Sequence, residues 1–186
     1  MATFRYIIRE TTMYIKPIIE GHKLKSEIKE YGKNPVVIDQ KPLTIIEQSC
    51  HFYNTTYVAR KETTRIIADI CHKPPIVIKP ETSTYFFPSH SDRVAEGYWF
   101  NLLLINSYGK GKFNDTRITF DDGSEMVFPV SHHIINTQYL HTLKLEYCLR
   151  TKSLKNDKLK SEIDYKKANM NIYEVLAMYA LLDQQV

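Results

Sequence analysis

The chain has 186 residues, 43% of them hydrophobic and 25% charged, close to the values of ordinary globular domains. That excludes a disordered tail, a collagen-like fibre and a coiled coil, and a chain this long buries most of its apolar surface without staples. Lys plus Arg number 25 and Asp plus Glu 21, a formal net charge of +4, compatible with a nucleic-acid partner without demanding one.

Arg9, Glu10 and Lys16 interrupt the N-terminal stretch, so it carries no apolar signal-peptide core. No apolar run approaches the roughly 20 residues of a spanning helix, and no membrane partner is expected. TMYIKPII (12–19) and LKSEIKEY (24–31) partly alternate apolar and polar residues, with EGHK as a hairpin turn between them. NPVVID reads as a third strand. Pro42 then suits a first helical position, with Asp39 or Gln40 near the cap. Leu43, Ile46 and Cys50 follow on one helix face. Asn54, Thr55 and Thr56 are each suitable N-caps for a second helix over 57–70. Ile66, Ile67 and Ile70 are its predicted core face, and Pro74 and Pro75 end it.

IVIK and TYFFP are short strand-like runs beside Pro80 and Pro88, and YWFNLLLI reads as a buried strand. DTRITF and EMVFPV flank DDGS, a hairpin signal. A helix fits from Ser131, where Ile135, Tyr139, Leu143 and Tyr147 recur every four residues. TKSLKNDKLKSEIDYKK is polar, a loop or a loose helix. A last helix carries Ile172, Val175, Leu176 and Tyr179 on one face. The predicted fold is α+β, a mostly antiparallel sheet with two central helices and C-terminal helices. One domain over 1–186 is expected, with the basic stretch 152–167 as the place for a flexible joint.

Charge is uneven. Residues 50–80 hold Arg60, Lys61, Arg65, Lys73 and Lys79 against Glu62 and Asp69, a balance of +3, and 150–167 carries +4. Lys61 and Arg65 are four apart on the predicted helix, where like charges repel, and cations near a helix start oppose its dipole. A phosphate would relieve both penalties and meet the free N–H groups after Asn54, Thr55 and Thr56. The plain alternative is a solvated helix face. Lys110 and Lys112 alternate with glycines in SYGKGKF, a groove-entering tip or an ordinary turn. Phe52, Tyr53 and Tyr57 beside the first zone suit base stacking or interhelical packing alike.

Catalytic signatures are thin. Cys50–His51 and Cys71–His72 have zinc-type ligands at the wrong spacing, and Cys50 lies on an apolar stripe, so a packed core thiol is the simpler reading. The cysteines, Cys50, Cys71 and Cys148, are odd in number and far apart, which is no disulfide framework and suits the cytoplasm. His132 and His133 read as a helix start. Asp121, Asp122 and Glu125 suit turn chemistry better than a metal. No GxSxG, P-loop or HExxH occurs. No enzyme, metal or cofactor is expected. The alternatives are a metal- or thiol-dependent hydrolase on Cys50, His51 and His72, or a protein-interaction module whose Tyr-rich surface binds RNA polymerase or a regulator.

KPLTIIEQSCHFYNTTYVARKETTRIIADICHKPPIVI, then TYFFPS, FNDTRITFDDGSEMVFPVS and LRTK at 149–152, resembles the ComK family of competence transcription factors. The likeness runs over roughly residues 40–152. Ala59 stands where that family often has Gly before its Arg-Lys pair, so the helix is predicted to begin before Arg60. After Lys152 the family's aromatic-proline tail, used by some members for capture by an adaptor and protease, is not seen. The resemblance implies an activator of DNA-uptake genes, acting as more than one subunit on paired AT-rich boxes of double-stranded DNA, largely through the minor groove. It implies DNA contacts by Arg60 and Lys61 in the Arg-Lys element and by His72 and Lys73 in HKPP. Arg65 joins them by helical spacing. Arg60 would enter the groove, and Lys61 and Lys73 would meet phosphates.

Overall fold

The computed structural model describes residues 5–157, and these form the α+β arrangement that the sequence predicts. Strand β1 (Thr12–Glu20) and strand β2 (Lys23–Glu30) make the expected first hairpin. Glu20 faces Lys23 across a two-residue turn, and Gly21 takes its left-handed position there, φ +61°. Strand β3 (Val36–Ile38) adds beside β2.

Helix α1 (Pro42–Phe52) starts on Pro42 as predicted, but its cap position is Lys41, without a side-chain cap. Gln40 is engaged elsewhere: its Oε1 accepts the Tyr6 N–H and its Nε2 donates to Gln48. Ile45, Ile46, Ser49 and Cys50 are the fully buried face.

Of the three candidate caps, Thr56 opens helix α2 (Tyr57–Ala68), accepting the Ala59 N–H at 3.0 Å. The helix begins before Arg60, as Ala59 predicts. It ends two residues earlier than predicted, at a left-handed Asp69. Its inward face is also different. Tyr57, Thr64 and Ala68 are buried, Ile66 is 69% exposed, and Ile70 is buried beyond the helix end. The cause is Thr64, whose hydroxyl donates to the Pro75 carbonyl at 2.6 Å in a buried site. That bond turns a polar residue inward and rotates Ile66 to solvent.

Strands β4 (Ile76–Lys79), β5 (Thr84–Pro88) and β6 (Trp99–Asn101) complete an antiparallel six-stranded sheet in the order β3-β2-β1-β6-β5-β4. The run YWFNLLLI is not one strand. Asn101 breaks it: Nδ2 donates to the Thr12 carbonyl at 2.9 Å, and Oδ1 accepts the Leu103 N–H of a 3₁₀ turn over Leu102–Leu104. The chain leaves the first sheet there and enters a second, built from β7 (Ile105–Lys110), β8 (Thr116–Phe120) and β9 (Glu125–Phe128). Helix α3 (His132–Asp157) follows, starting on the histidines as expected. Of the predicted repeat, Ile135 and Tyr147 are buried while Tyr139 and Leu143 are half-buried, and Gln138, Thr142 and Leu145 complete the buried side. A strict four-residue repeat drifts around a helix of 3.6 residues per turn. The helix predicted at Ile172–Tyr179 and most of the second basic zone lie outside the described residues.

Alternate strand residues load two faces of the large sheet. Ile15, Ile28, Ile76, Phe86 and Trp99 pack with Ile45, Ile46 and Cys50 of α1. Tyr14, Phe87 and Phe100 pack with Ile118, Phe120 and Phe128 of the second sheet. Val77 and Tyr85 meet Ala68 and Leu145. One carboxylate whose side chain is largely covered ties the two sheets. Asp122, in the DDGS turn, accepts from Ser124 and from the Gly32 N–H and pairs with Lys29 at 3.2 Å. Burial works to raise its pKa, but these hydrogen bonds hold it down at about 2.

Asp122→Asn should therefore lower stability at neutral pH by about 2 kcal/mol, the scale of hydrogen bonds to a charged group. A carboxyl depressed on folding stabilises above its unfolded pKa and loses that contribution as pH falls through its folded value. Urea melts of both proteins should converge between about pH 4 and pH 2.

Candidate nucleic-acid interface

Helix α2 lays Lys61 and Arg65 one turn apart on its outer side. The segment after its C-cap returns beside them, because the Thr64–Pro75 hydrogen bond pins the chain just before β4. Cys71, His72 and Lys73 stand on that rim. Lys73 is left-handed, φ +46°, and stands directly before Pro74. A residue with a Cβ costs roughly 1–2 kcal/mol in that conformation.

The opposite rim is the loop after β5. The buried Ser89 closes it from both ends, donating its N–H to the Tyr98 carbonyl at 2.9 Å and accepting the Tyr98 N–H on Oγ at 2.9 Å. Ser91, Asp92 and Arg93 are thereby held across from α2. The cleft between the rims has a volume of about 560 Å³. Lys61, Arg65, Lys73 and Arg93 line it against Glu62 and Asp92, four cations to two carboxylates, with His72 beside them.

The like-charge pair on α2 is neutralised within the chain. Lys61 reaches Asp92 at 2.6 Å and lies 4.5 Å from the centre of the Tyr57 ring. Arg65 grips Glu62 through two hydrogen bonds, which lower the carboxyl pKa and raise that of the guanidinium. The outside anion that the repulsion suggested is therefore not required for stability. Both pairs are solvent-exposed, and such pairs are worth about 0–1 kcal/mol, so a phosphate can displace them at small cost. Lys73 and Arg93 have no carboxylate within 4.0 Å among the described residues. Lys73 adds its charge to burial in holding His90 and His141 below the usual histidine range.

The cleft thus gathers Lys61, Arg65, His72 and Lys73 of the predicted contacts. Arg60 is not among its lining residues. It is half-buried, its Nε sealed without a hydrogen-bond partner among the described residues, and its charge is felt at Cys50 on α1. Asn54, Thr55 and Thr56 form the α1–α2 turn, where Thr56 satisfies one free helix N–H itself. Lys79 pairs with Glu10 at 2.9 Å. Lys110 and Lys112 stand on the β7–β8 hairpin of the second sheet, outside the cleft. Arg93 and Asp92 were missed by sequence reasoning, because a DR pair in a short polar loop carries no signature linking it to a distant helix.

The hydrolase constellation is not assembled. Cys50 is fully buried, its thiol pushed up to about 11 by burial against the pull of Arg60, while His51 is exposed and His72 stands on the cleft rim.

A family model described as ComK protein matches residues 3–154. The Competence transcription factor of Bacillus subtilis (strain 168) is 31% identical over 138 residues, which cover 74% of this chain and 71% of that protein. No solved structure matches. The chain belongs to the ComK family.

Lys73→Gly separates charge from backbone. Removing the Cβ should raise stability in urea melts by up to about 1 kcal/mol while deleting a cation from the cleft. A destabilised variant would show that the Lys73 side chain holds the rim in place.

Proposed function

We propose that this ComK-family chain is a sequence-specific transcriptional activator of DNA-uptake genes and that its cleft grips the backbone of double-stranded promoter DNA. One observation carries the reading: Lys61, Arg65, Lys73 and Arg93 come from three separate chain segments and meet on one cleft. Lys73 and Arg93 offer full charge to a phosphodiester, and Lys61 and Arg65 exchange exposed carboxylates for phosphate. His72 supplies a further donor on the rim. Arg60, turned toward α1, is left out of this contact set. The chain is a regulator rather than an enzyme, in line with the relative whose name is Competence transcription factor.

Paired AT-rich boxes are the targets that suit this charge pattern. Their minor groove is narrow and strongly negative, which favours Arg and Lys. It separates A·T from G·C and little more, so a handful of cations suffices. One subunit on each box gains affinity by linked binding, which makes a homo-oligomer on DNA the working form. The setting is the cytoplasm, and RNA polymerase is the further partner that an activator engages.

Fluorescence anisotropy on an AT-box duplex and its GC-substituted control, at about 150 mM salt, tests this. The AT duplex should bind more tightly. Lys73→Gly and Arg93→Gln should each weaken both duplexes and each reduce the salt slope by about 1. Equal affinity for the two duplexes removes specificity, and an unchanged slope in the double variant removes the cleft. Capture of RNA polymerase without any duplex binding would favour the protein-interaction alternative.

A further inference from the structure

The hairpin joining β7 and β8 ends in an aromatic ring that the fold does not use. Phe113 is 87% exposed, the highest value among the large hydrophobic residues described. It stands in the connection 111–115, past the last ladder pair, Lys110 with Thr116. Lys110 and Lys112 precede it on the same hairpin, both exposed and neither paired with a carboxylate among the described residues.

The tip is a built turn. The Gly111 N–H donates to the Asp115 carbonyl at 3.0 Å, and the Phe113 N–H donates to Asp115 Oδ1 at 3.4 Å. Gly111 makes this possible, since a Cβ there would lie 1.8 Å from Asp115 Oδ1. Asn114 takes a left-handed conformation, φ +56°, to complete the turn. The base of the hairpin is anchored. Thr116 donates to the Val130 carbonyl at 2.7 Å in a buried site, Ile118 and Phe120 are core residues, and Tyr108 donates to Asn136 at 3.0 Å. An anchored two-stranded ribbon therefore presents one phenyl ring at a tip that also carries two cations without carboxylate partners among the described residues.

We propose that Phe113 is a wedge that enters the minor groove of the bound duplex and inserts between two stacked base pairs, with Lys110 and Lys112 on the neighbouring phosphates. This rests on the duplex-binding reading above and adds a second contact that bends the DNA. Apolar side chains inserted at base steps unstack them and kink the duplex. TA steps, frequent in AT-rich DNA, are the easiest to unstack. A membrane surface fits less well, because interfacial anchoring needs a broad apolar face, and here one ring is followed by Asn114 and Asp115.

The test is energy transfer between the two ends of an AT-box duplex, with 2-aminopurine placed at candidate TA steps. The wild-type protein should bend the duplex within the roughly 20–90° range of apolar wedges and raise 2-aminopurine emission at one step. Phe113→Ala, a surface change that leaves thermal melting unaltered, should abolish that emission rise and most of the bend, and weaken binding roughly tenfold. Phe113→Trp should keep both signals. Lys110→Gln with Lys112→Gln should reduce the salt slope by about 2. If Phe113→Ala bends the duplex as the wild type does, the wedge is overturned and the cleft reading stands. Failure of the wild-type protein to bind any duplex overturns both.

Discussion

Phe86 and Phe87 are neighbours on β5 and both are fully buried. Successive strand residues point to opposite faces, so the large sheet must be covered on both. The placement of the covering layers follows from that demand. Helix α1 covers the Phe86 face, and the second sheet and α3 cover the Phe87 face. Burying two such rings on opposite sides contributes on the order of 3–6 kcal/mol before entropy is counted. The exposed turns and loops lie at the margins of this stack: the loop joining β5 and β6 faces α2 across the cleft, and the β7–β8 tip projects from the second sheet.

The cleft illustrates how a basic site is kept stable without its ligand. Lys61 and Arg65 are held beside Asp92 and Glu62 at solvent-exposed positions. These carboxylates damp the repulsion along α2 while leaving the cations easy to recruit, because exposed pairs are weakly held. Lys73 and Arg93, unpaired among the described residues, leave the cleft net positive. The left-handed Lys73 shows the same logic in the backbone. A local cost is accepted so that a charge stands on the rim beside α2.

The two places offered to DNA come from different layers, and their chemistry differs accordingly. The cleft is a place for phosphates, its cations carried on segments fixed by hydrogen bonds at Thr64 and Ser89. The β7–β8 tip is a place for a base step, built of one ring on an anchored ribbon. Phosphate contacts position a protein on a duplex, whereas groove contacts and deformation discriminate sequence. A chain of modest net charge can in this way combine a general grip with a local test of duplex deformability.

Much of the fold is legible in local chemistry. Gly21 and Gly123 mark the β1–β2 and β8–β9 turns, Pro42 marks the start of α1, and the apolar runs around Phe86 and Phe120 are strands. Local patterns misled where a tertiary hydrogen bond outranked hydrophobicity. Thr64 turned inward to reach Pro75 and left Ile66 in solvent, and Asn101 broke an apolar run by binding the β1 backbone. In the site, the clustering of Lys61, Arg65, His72 and Lys73 was visible as charge along the chain. The sequence by itself determined which segments are apolar, where turns fall and which short stretches are basic, because these depend on near neighbours. Only the tertiary structure decided that Arg93 joins the cleft and that Arg60 does not. That choice depends on the rotation of α2 and on loop closure at Ser89, which are set by contacts between residues far apart in the chain.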